Sequence, residues 1–236
     1  MAALSCDNAR ASRASDGRAK PGPKPGAADA LMTPRLIGLN KPFGVVCQFS
    51  PHQDHATLAD YVRVPHVYAA GRLDTDSEGL LLLTADGALQ HNITDPRREL
   101  EKGYWAHVEG TPDAAALRRL IVGVDLGDFV TRACKACVID EPAGLWPRSP
   151  PIRMRKAIPT TWLDIRITEG KNRQIRRMTA KCGCPTLRLI RHSIGPFKLG
   201  VLVPGQSSEF DAALLRRDSR QPINQSLRSR LAARQE

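Results

Sequence analysis

Gly71-Arg72-Leu73-Asp74-Thr75-Asp76-Ser77-Glu78-Gly79-Leu80-Leu81-Leu82-Leu83-Thr84-Ala85-Asp86-Gly87 carries an acidic, glycine-bounded loop straight into four consecutive leucines. A run this short, closed by Thr84 and the Asp86-Gly87 turn signal, suits a strand buried on both faces; a helix would need more residues. Polar chemistry is thereby set beside a buried element that can hold it rigidly. Asp74 lies close to Arg72, and Asp76 and Glu78 follow at alternate positions, so several carboxylates share one short segment with a guanidinium able to keep one of them ionised. A solvated turn and a functional loop both fit this composition, because charged loops are common and those that carry chemistry are a subset.

Upstream, residues 35–40 read as a short strand leading into Lys41-Pro42-Phe43-Gly44, where Pro42 and Gly44 turn the chain and Val45-Val46-Cys47 returns as a strand. Lys41 is fixed at that turn. Thr57 caps a short helix through Val62, and residues 66–70 form an apolar strand entering the loop. Downstream, Asp86-Gly87 opens a helix of about two turns that Asp95-Pro96 ends, since proline forbids continuation. Residues 102–110, with Tyr104, read as a strand; Thr111 then caps a helix with Pro112 at its first position and Leu117, Leu120 and Ile121 on its apolar side. Residues 131–139 read as a strand, and 161–168 alternate as a half-buried one. Asn172 is the expected N-cap of a helix through about Lys181. On that helix Arg173, Arg176, Arg177 and Lys181 share one face, with Ile175, Met178 and Cys182 on the other. A merely solvated face usually mixes both charge signs, so this one is read as facing an anion. Residues 187–190 and 197–203 close the fold as strands. The irregular alternation predicts an α+β fold, a mixed and largely antiparallel sheet flanked by helices and loops.

The 236 residues carry a formal net charge of +11, more than solubility requires, which favours a polyanionic partner and most economically nucleic acid. Aromatics make up 5%, too few for wide stacking platforms. No stretch reaches the roughly 18 apolar residues of a membrane span. The N-terminus lacks the apolar core of a signal peptide, so the cytoplasm and reduced thiols are expected. Cys134-Lys-Ala-Cys137 and Cys182-Gly-Cys184 invite zinc, but the second spacing is wrong for a knuckle and the first lies on an expected strand, where residues three apart face opposite ways; no metal is expected. Residues 1–34, rich in Ala, Ser, Gly, Pro and Arg, are read as a disordered basic arm, 35–217 as the folded domain and 218–236 as a basic tail. The Pro- and Arg-rich stretch 141–156, with Arg153, Arg155 and Lys156, is read as a surface loop aimed at the partner, a plain spacer being the alternative.

No phosphate-binding glycine loop, dinucleotide fingerprint or nucleophilic triad is present by spacing. An aspartate beside an arginine, a tyrosine on a strand and a basic helix remain. A sugar-bond reaction on RNA fits them, because one carboxylate can act at the anomeric carbon or on a neighbouring proton while arginines hold the backbone. Composition alone does not select that reaction. A non-catalytic RNA-binding or ribosome-assembly protein fits as well, as does a hydrolase using Asp74 and Glu78.

Lys41-Pro42-Phe43-Gly44, Gly71-Arg72-Leu73-Asp74 with Ser77-Glu78-Gly79-Leu80-Leu81-Leu82-Leu83-Thr84, Lys102-Gly103-Tyr104, and Glu169-Gly170-Lys171-Asn172-Arg173-Gln174-Ile175-Arg176-Arg177-Met178 follow one another in an order that resembles bacterial pseudouridine synthases of the RsuA type. The resemblance runs from about Arg35 to Phe210. It implies isomerisation of a uridine in structured RNA without metal or cofactor: the N1–C1′ bond breaks, the base turns, and C5 joins C1′. It also implies Asp74 as the catalytic aspartate, Arg72 as the residue that helps extrude the base, Tyr104 as the ring stacked on it and Arg176 as the basic partner that keeps Asp74 ionised. Members of this type usually carry a small N-terminal RNA-binding module, for which this chain has only its arm. That shorter form resembles members acting on 23S ribosomal RNA of the large subunit, the expected partner, with the chain acting as a monomer. Lys41, Arg153, Arg155, Lys156, Arg173, Arg177 and Lys181 are then the expected RNA-binding residues.

Overall fold

The computed structural model describes residues 35–218 apart from Met154 and Lys156; the expected arm, and all but the first residue of the expected tail, lie outside the described residues. In chain order the strands are β1 (Leu36–Lys41), β2 (Tyr68–Ala69), β3 (Glu78–Thr84), β4 (Lys102–Glu109), β5 (Lys135–Ile139), β6 (Thr160–Ile167), β7 (Thr186–Ile194), β8 (Phe197–Lys198) and β9 (Ser207–Phe210). The helices are α1 (Gly87–Thr94), α2 (Ala114–Val122), α3 (Gln174–Lys181) and α4 (Ala213–Asp218). All nine described strands belong to one sheet, ordered β5-β6-β4-β7-β3-β1-β9, with β2 added to β3 and β8 to β7. Among the described strands only β3 and β7 pair in parallel, so the expected mixed, largely antiparallel α+β fold is what forms.

The leucine run is the strand it was read to be. β3 lies between β1 and β7 with all seven residues buried. Leu80 and Leu82 pack with Leu36, Ile190 and Phe197, whereas Leu81 and Leu83 pack with Leu39, Val45 and Leu58. That division between two cores is the strand period of two. A third core lies under β4 and β6, where Ala106, Val108, Leu163 and Ile165 meet Leu120 of α2 and Met178 of α3. β3 and β7 approach closely at Gly79, which takes φ +104 and pairs with Arg191; a Cβ there would stand 2.3 Å from the Arg191 carbonyl oxygen.

Several local expectations are corrected. Asp113, not Thr111, caps α2, its carboxylate accepting from the Ala116 N–H at 2.7 Å, and Pro112 precedes the cap. Arg173, not Asn172, stands at the N-terminus of α3 with φ 47, and no side chain caps it. The buried Gln174 amide closes that turn instead, accepting from the Lys171 N–H at 3.1 Å and donating to Glu169 at 2.6 Å. Val45-Val46-Cys47 is no strand but a single bridge from Val46 to Thr57. His66, at φ 61, interrupts the strand expected over 66–70, leaving only Tyr68–Ala69. β9 was not foreseen.

The 141–156 loop turns partly inward. Leu145 and Trp146 pack on the core beside β3, and the Trp146 indole N–H donates to Glu78 at 2.8 Å. The Arg148 guanidinium lies 4.4 Å from the Phe43 ring centroid, a cation–π contact that fastens the loop to the Lys41–Gly44 turn.

Candidate active site

Residues 71–77 link β2 to β3 and are tied down from the side of the 41–47 segment. The Gly44 N–H donates to the Thr75 carbonyl at 2.8 Å, and the Ser77 N–H closes the turn onto the Asp74 carbonyl at 3.0 Å. The Cys47 thiol donates to the Leu73 carbonyl at 3.2 Å and accepts the Leu73 N–H at 3.4 Å. Lys41 stands behind this scaffold rather than at an RNA surface, which corrects the expectation for it. Its side chain is wholly buried, and its ammonium donates to the carbonyls of Pro42 at 2.9 Å and Val45 at 2.8 Å. The turn is wrapped around that cation, so these carbonyls are satisfied without a strand ladder. Burial outweighs the nearby Cys47 and Glu78 and lowers the Lys41 pKa to about 8.

Asp74, 38% exposed at its side chain, lines a cavity of about 810 Å³ together with Arg72, Lys102, Tyr104, Phe129 and Arg191. Three of the four residues expected to carry the chemistry, Asp74, Arg72 and Tyr104, are thereby brought together. Arg72 is exposed, while Tyr104 is buried on the face of β4 that sends Ala106 and Val108 into the core. A second cleft of about 420 Å³ is bordered by Cys47, Asp74, Asp76 and Arg173, so Asp74 faces both.

Arg176 does not pair with Asp74 directly. Its Nε lies 3.4 Å from Asp76 Oδ2, and its Nη2 and Nη1 donate to the carbonyls of Asp76 at 2.7 Å and Thr186 at 3.2 Å. Arg173, one turn nearer the helix start, grips the Asp76 carboxylate through both terminal nitrogens at 3.1 and 2.9 Å and comes within 3.8 Å of Asp74 Oδ2. The spacing put both arginines on one face of α3 but did not say which acid each would meet. Partial burial of Asp76 opposes its ionisation; the Arg173 hydrogen bonds and the Arg176 charge outweigh it and hold the carboxyl below the usual carboxylate range.

Glu78 belongs to the sheet, not to the loop. It is 2% exposed and gripped by Arg188 at 2.7 and 2.8 Å, which leaves it unavailable as the second carboxylate of a hydrolase. Arg177 is bound to Asp128 and to the Leu126 carbonyl, so the basic face of α3 is more internally paired than its spacing suggested. Arg153, Arg155 and Lys181 are exposed, Arg155 with its Nε 3.6 Å from Glu109 Oε1. Lys156 lies outside the described residues. Asp76, Cys47, Phe129 and Arg191 also border the two clefts and are not among the residues that the sequence assigns to the site. Asp76 was visible in the alternation of acids, and Arg191 as a charge within an apolar strand; Cys47 and Phe129 gave no signal.

A cavity with a carboxylate at its edge, an aromatic wall and basic side chains suits a step on a planar, polar ligand. In fold the chain is similar to a crystal structure described as pseudouridylate synthase, with a TM-score of 0.65 at 26% identity over 78% of this chain and 74% of that one. The class is therefore that of a base-isomerising enzyme of RNA. The family model described as RNA pseudouridylate synthase matches residues 35–181, which include Asp74, Tyr104 and Arg176, and the chain belongs to that family. The curated relative named ribosomal large subunit pseudouridine synthase E of Xanthomonas campestris pv. campestris is 52% identical over 183 residues, 77% of this chain and 98% of the relative. Its namesake in Vibrio parahaemolyticus is 51% identical over 180 residues, 76% of this chain and 75% of the relative. The expected family and enzyme class are thus those found: a pseudouridine synthase, an isomerase.

Proposed function

We propose that this chain converts a uridine of large-subunit, 23S ribosomal RNA to pseudouridine, using Asp74 as the acting carboxylate. The names of the relatives support the substrate; the meeting of Asp74, Arg72 and Tyr104 around one cavity is the observation that carries the assignment. The target base must leave its stack, at a cost of a few kcal/mol. In this reading the exposed Arg72 fills the vacated space, and stacking on Tyr104 returns about 1 to 3 kcal/mol. Asp74 then acts at C1′ or on a sugar proton, with the Arg173 guanidinium 3.8 Å from its Oδ2 and Arg176 behind it at Asp76. Atoms and oxidation level are conserved in the isomerisation, so it needs no net oxidant, reductant or group donor.

Residues 35–217 form the catalytic domain in this reading. Arg153, Arg155 and Lys156 of the loop and Arg173, Arg177 and Lys181 of α3 meet RNA phosphates. Among the described residues no helix is long and apolar enough to cross a membrane, and a cytoplasmic monomer fits a ribosomal RNA substrate. The test is tritium release from RNA labelled at uridine C5. Asp74→Asn is expected to retain its melting temperature and RNA affinity and to release no tritium above background. Turnover near wild type would remove Asp74 from the mechanism; a wild-type chain that binds RNA yet never releases tritium would favour a non-catalytic role in assembly.

A further inference from the structure

The floor of the cavity holds two cations without acids. Along β4, Lys102 lies two positions before Tyr104 and therefore on the same face. Across the β4–β7 ladder Tyr104 is paired with Arg191, and β7 has an extra residue, His192, before pairing resumes at Ser193 opposite Gly103. That bulge puts Arg191 beside the tyrosine; bulges next to active sites commonly re-aim a side chain in this way. Both cations line the cavity with Asp74.

Among the described residues neither cation makes an ion pair. Lys102 Nζ donates to the Leu100 carbonyl at 3.0 Å. Arg191, 5% exposed, donates through Nε to the Leu80 carbonyl at 2.8 Å and through Nη1 to the Arg72 carbonyl at 3.3 Å, while its Nη2 is buried with no partner. Burial and the nearness of Arg191 both lower the Lys102 pKa. The carboxylates bordering the cavity are committed elsewhere: Asp74 stands near Arg173, and Glu169 accepts from Gln174 and from the Arg132 N–H. A buried charge at Arg191 and a half-buried one at Lys102, neither compensated, are costly to the fold. They become useful when an anion forms between them.

We propose that Lys102 and Arg191 form a cationic wall that stabilises the uracil as an anion after its bond to the sugar has broken. This rests on the reading of the cavity as the uridine site. Whichever way Asp74 acts, the N1–C1′ electron pair leaves with the base, and the negative charge spreads over N1, O2 and O4. The detached base must then turn before C5 bonds to C1′, after which C5 gives up its proton and N1 gains one. Throughout that interval the ring carries charge beside groups fixed by the fold, which act more strongly than ions free in water.

The test exploits the leaving group. 5-Fluorouracil is the more acidic base and its anion needs less help. Single-turnover loss of intact nucleoside, read by mass spectrometry of digested RNA, is compared for uridine and 5-fluorouridine at the target position. Arg191→Gln is expected to slow uridine cleavage about 10²-fold, the scale of losing one charge-stabilising donor, and to slow 5-fluorouridine cleavage about tenfold less. Arg191→Lys should recover most of the rate, and Lys102→Met should show the same substrate asymmetry. Equal losses on the two substrates, in variants that melt like wild type, would overturn the proposal. If Arg191→Gln does not fold, Lys102→Met decides by the same comparison. Should wild type cleave neither nucleoside, the uridine-site reading itself fails; wild-type cleavage with symmetric losses defeats only the cationic wall.

Discussion

Lys41, held by backbone carbonyls, and Asp76, held by two guanidinium groups, show how single side chains in this molecule answer to the partners the fold gives them. Unfolded, a lysine keeps its proton up to about 10.5, whereas Lys41 in the folded chain keeps it only to about 8. Between those values the unfolded chain holds more protons, so stability rises with pH across that window; below about 8 the fold bears the full cost of the buried cation, roughly 3 kcal/mol. The stability difference between wild type and Lys41→Met should therefore move in favour of wild type by about that amount between pH 7 and pH 10.5. Urea melts at the two pH values measure it, and a constant difference would contradict the account. The sequence placed Lys41 at a turn correctly but could not show that the turn closes over its ammonium, because lysine is a surface residue by default. In the same way, the acids at 74, 76 and 78 are equivalent as text. Only the sheet separates them, into a cavity-facing residue, a guanidinium anchor and a buried ion pair.

At the scale of elements, the parallel junction of β3 and β7 holds the site together, since it joins the strand leaving the Asp74 loop to the strand bearing Arg191. Gly79 makes the junction possible. Gly79→Ala is expected to cost about 3 kcal/mol or more, because a positive φ and a backbone oxygen at 2.3 Å leave the methyl group nowhere to go. In Gly38→Ala the nearest atoms are those of the Phe210 ring, a side chain that can turn aside, and the change should cost distinctly less. Denaturation midpoints of the two variants would settle the order, and similar values would show that the junction relaxes. The strands were legible where patterns were strong: four leucines for β3, alternation for β6, a continuous segment for β4. Caps and short strands were not, because Asp113 and Thr111 are both competent caps, and because one left-handed residue, His66, delays the start of an extended run without altering its composition.

Taken whole, the chain is a basic protein in which three arginines at the start of α3 are largely spoken for by its own acids and carbonyls: Arg173 by Asp76, Arg177 by Asp128 and Arg176 by the Asp76 backbone. Charge at 153 and 155 is less committed, and replacing both arginines with glutamine should lower RNA affinity and flatten the dependence of log Kd on log salt by about 1 to 2. Filter binding across a salt series tests this; an unchanged slope would take the loop off the binding surface. Most of the site could be read beforehand because its motifs are local in sequence. The cationic floor could not, since Lys102 and Arg191 become neighbours only through pairing of β4 with β7 and the bulge at His192.

Glu78 has one oxygen shared by the Trp146 indole and Arg188 Nη2 and another held by Arg188 Nε, so segments 68 positions apart hang from a single carboxylate at the first residue of β3. Anyone grafting a different 141–156 segment to retarget the enzyme inherits that attachment. A donor hydrogen must be supplied again where the tryptophan was, or a sealed-off oxygen loses one of its partners directly beneath the turn that presents Asp74.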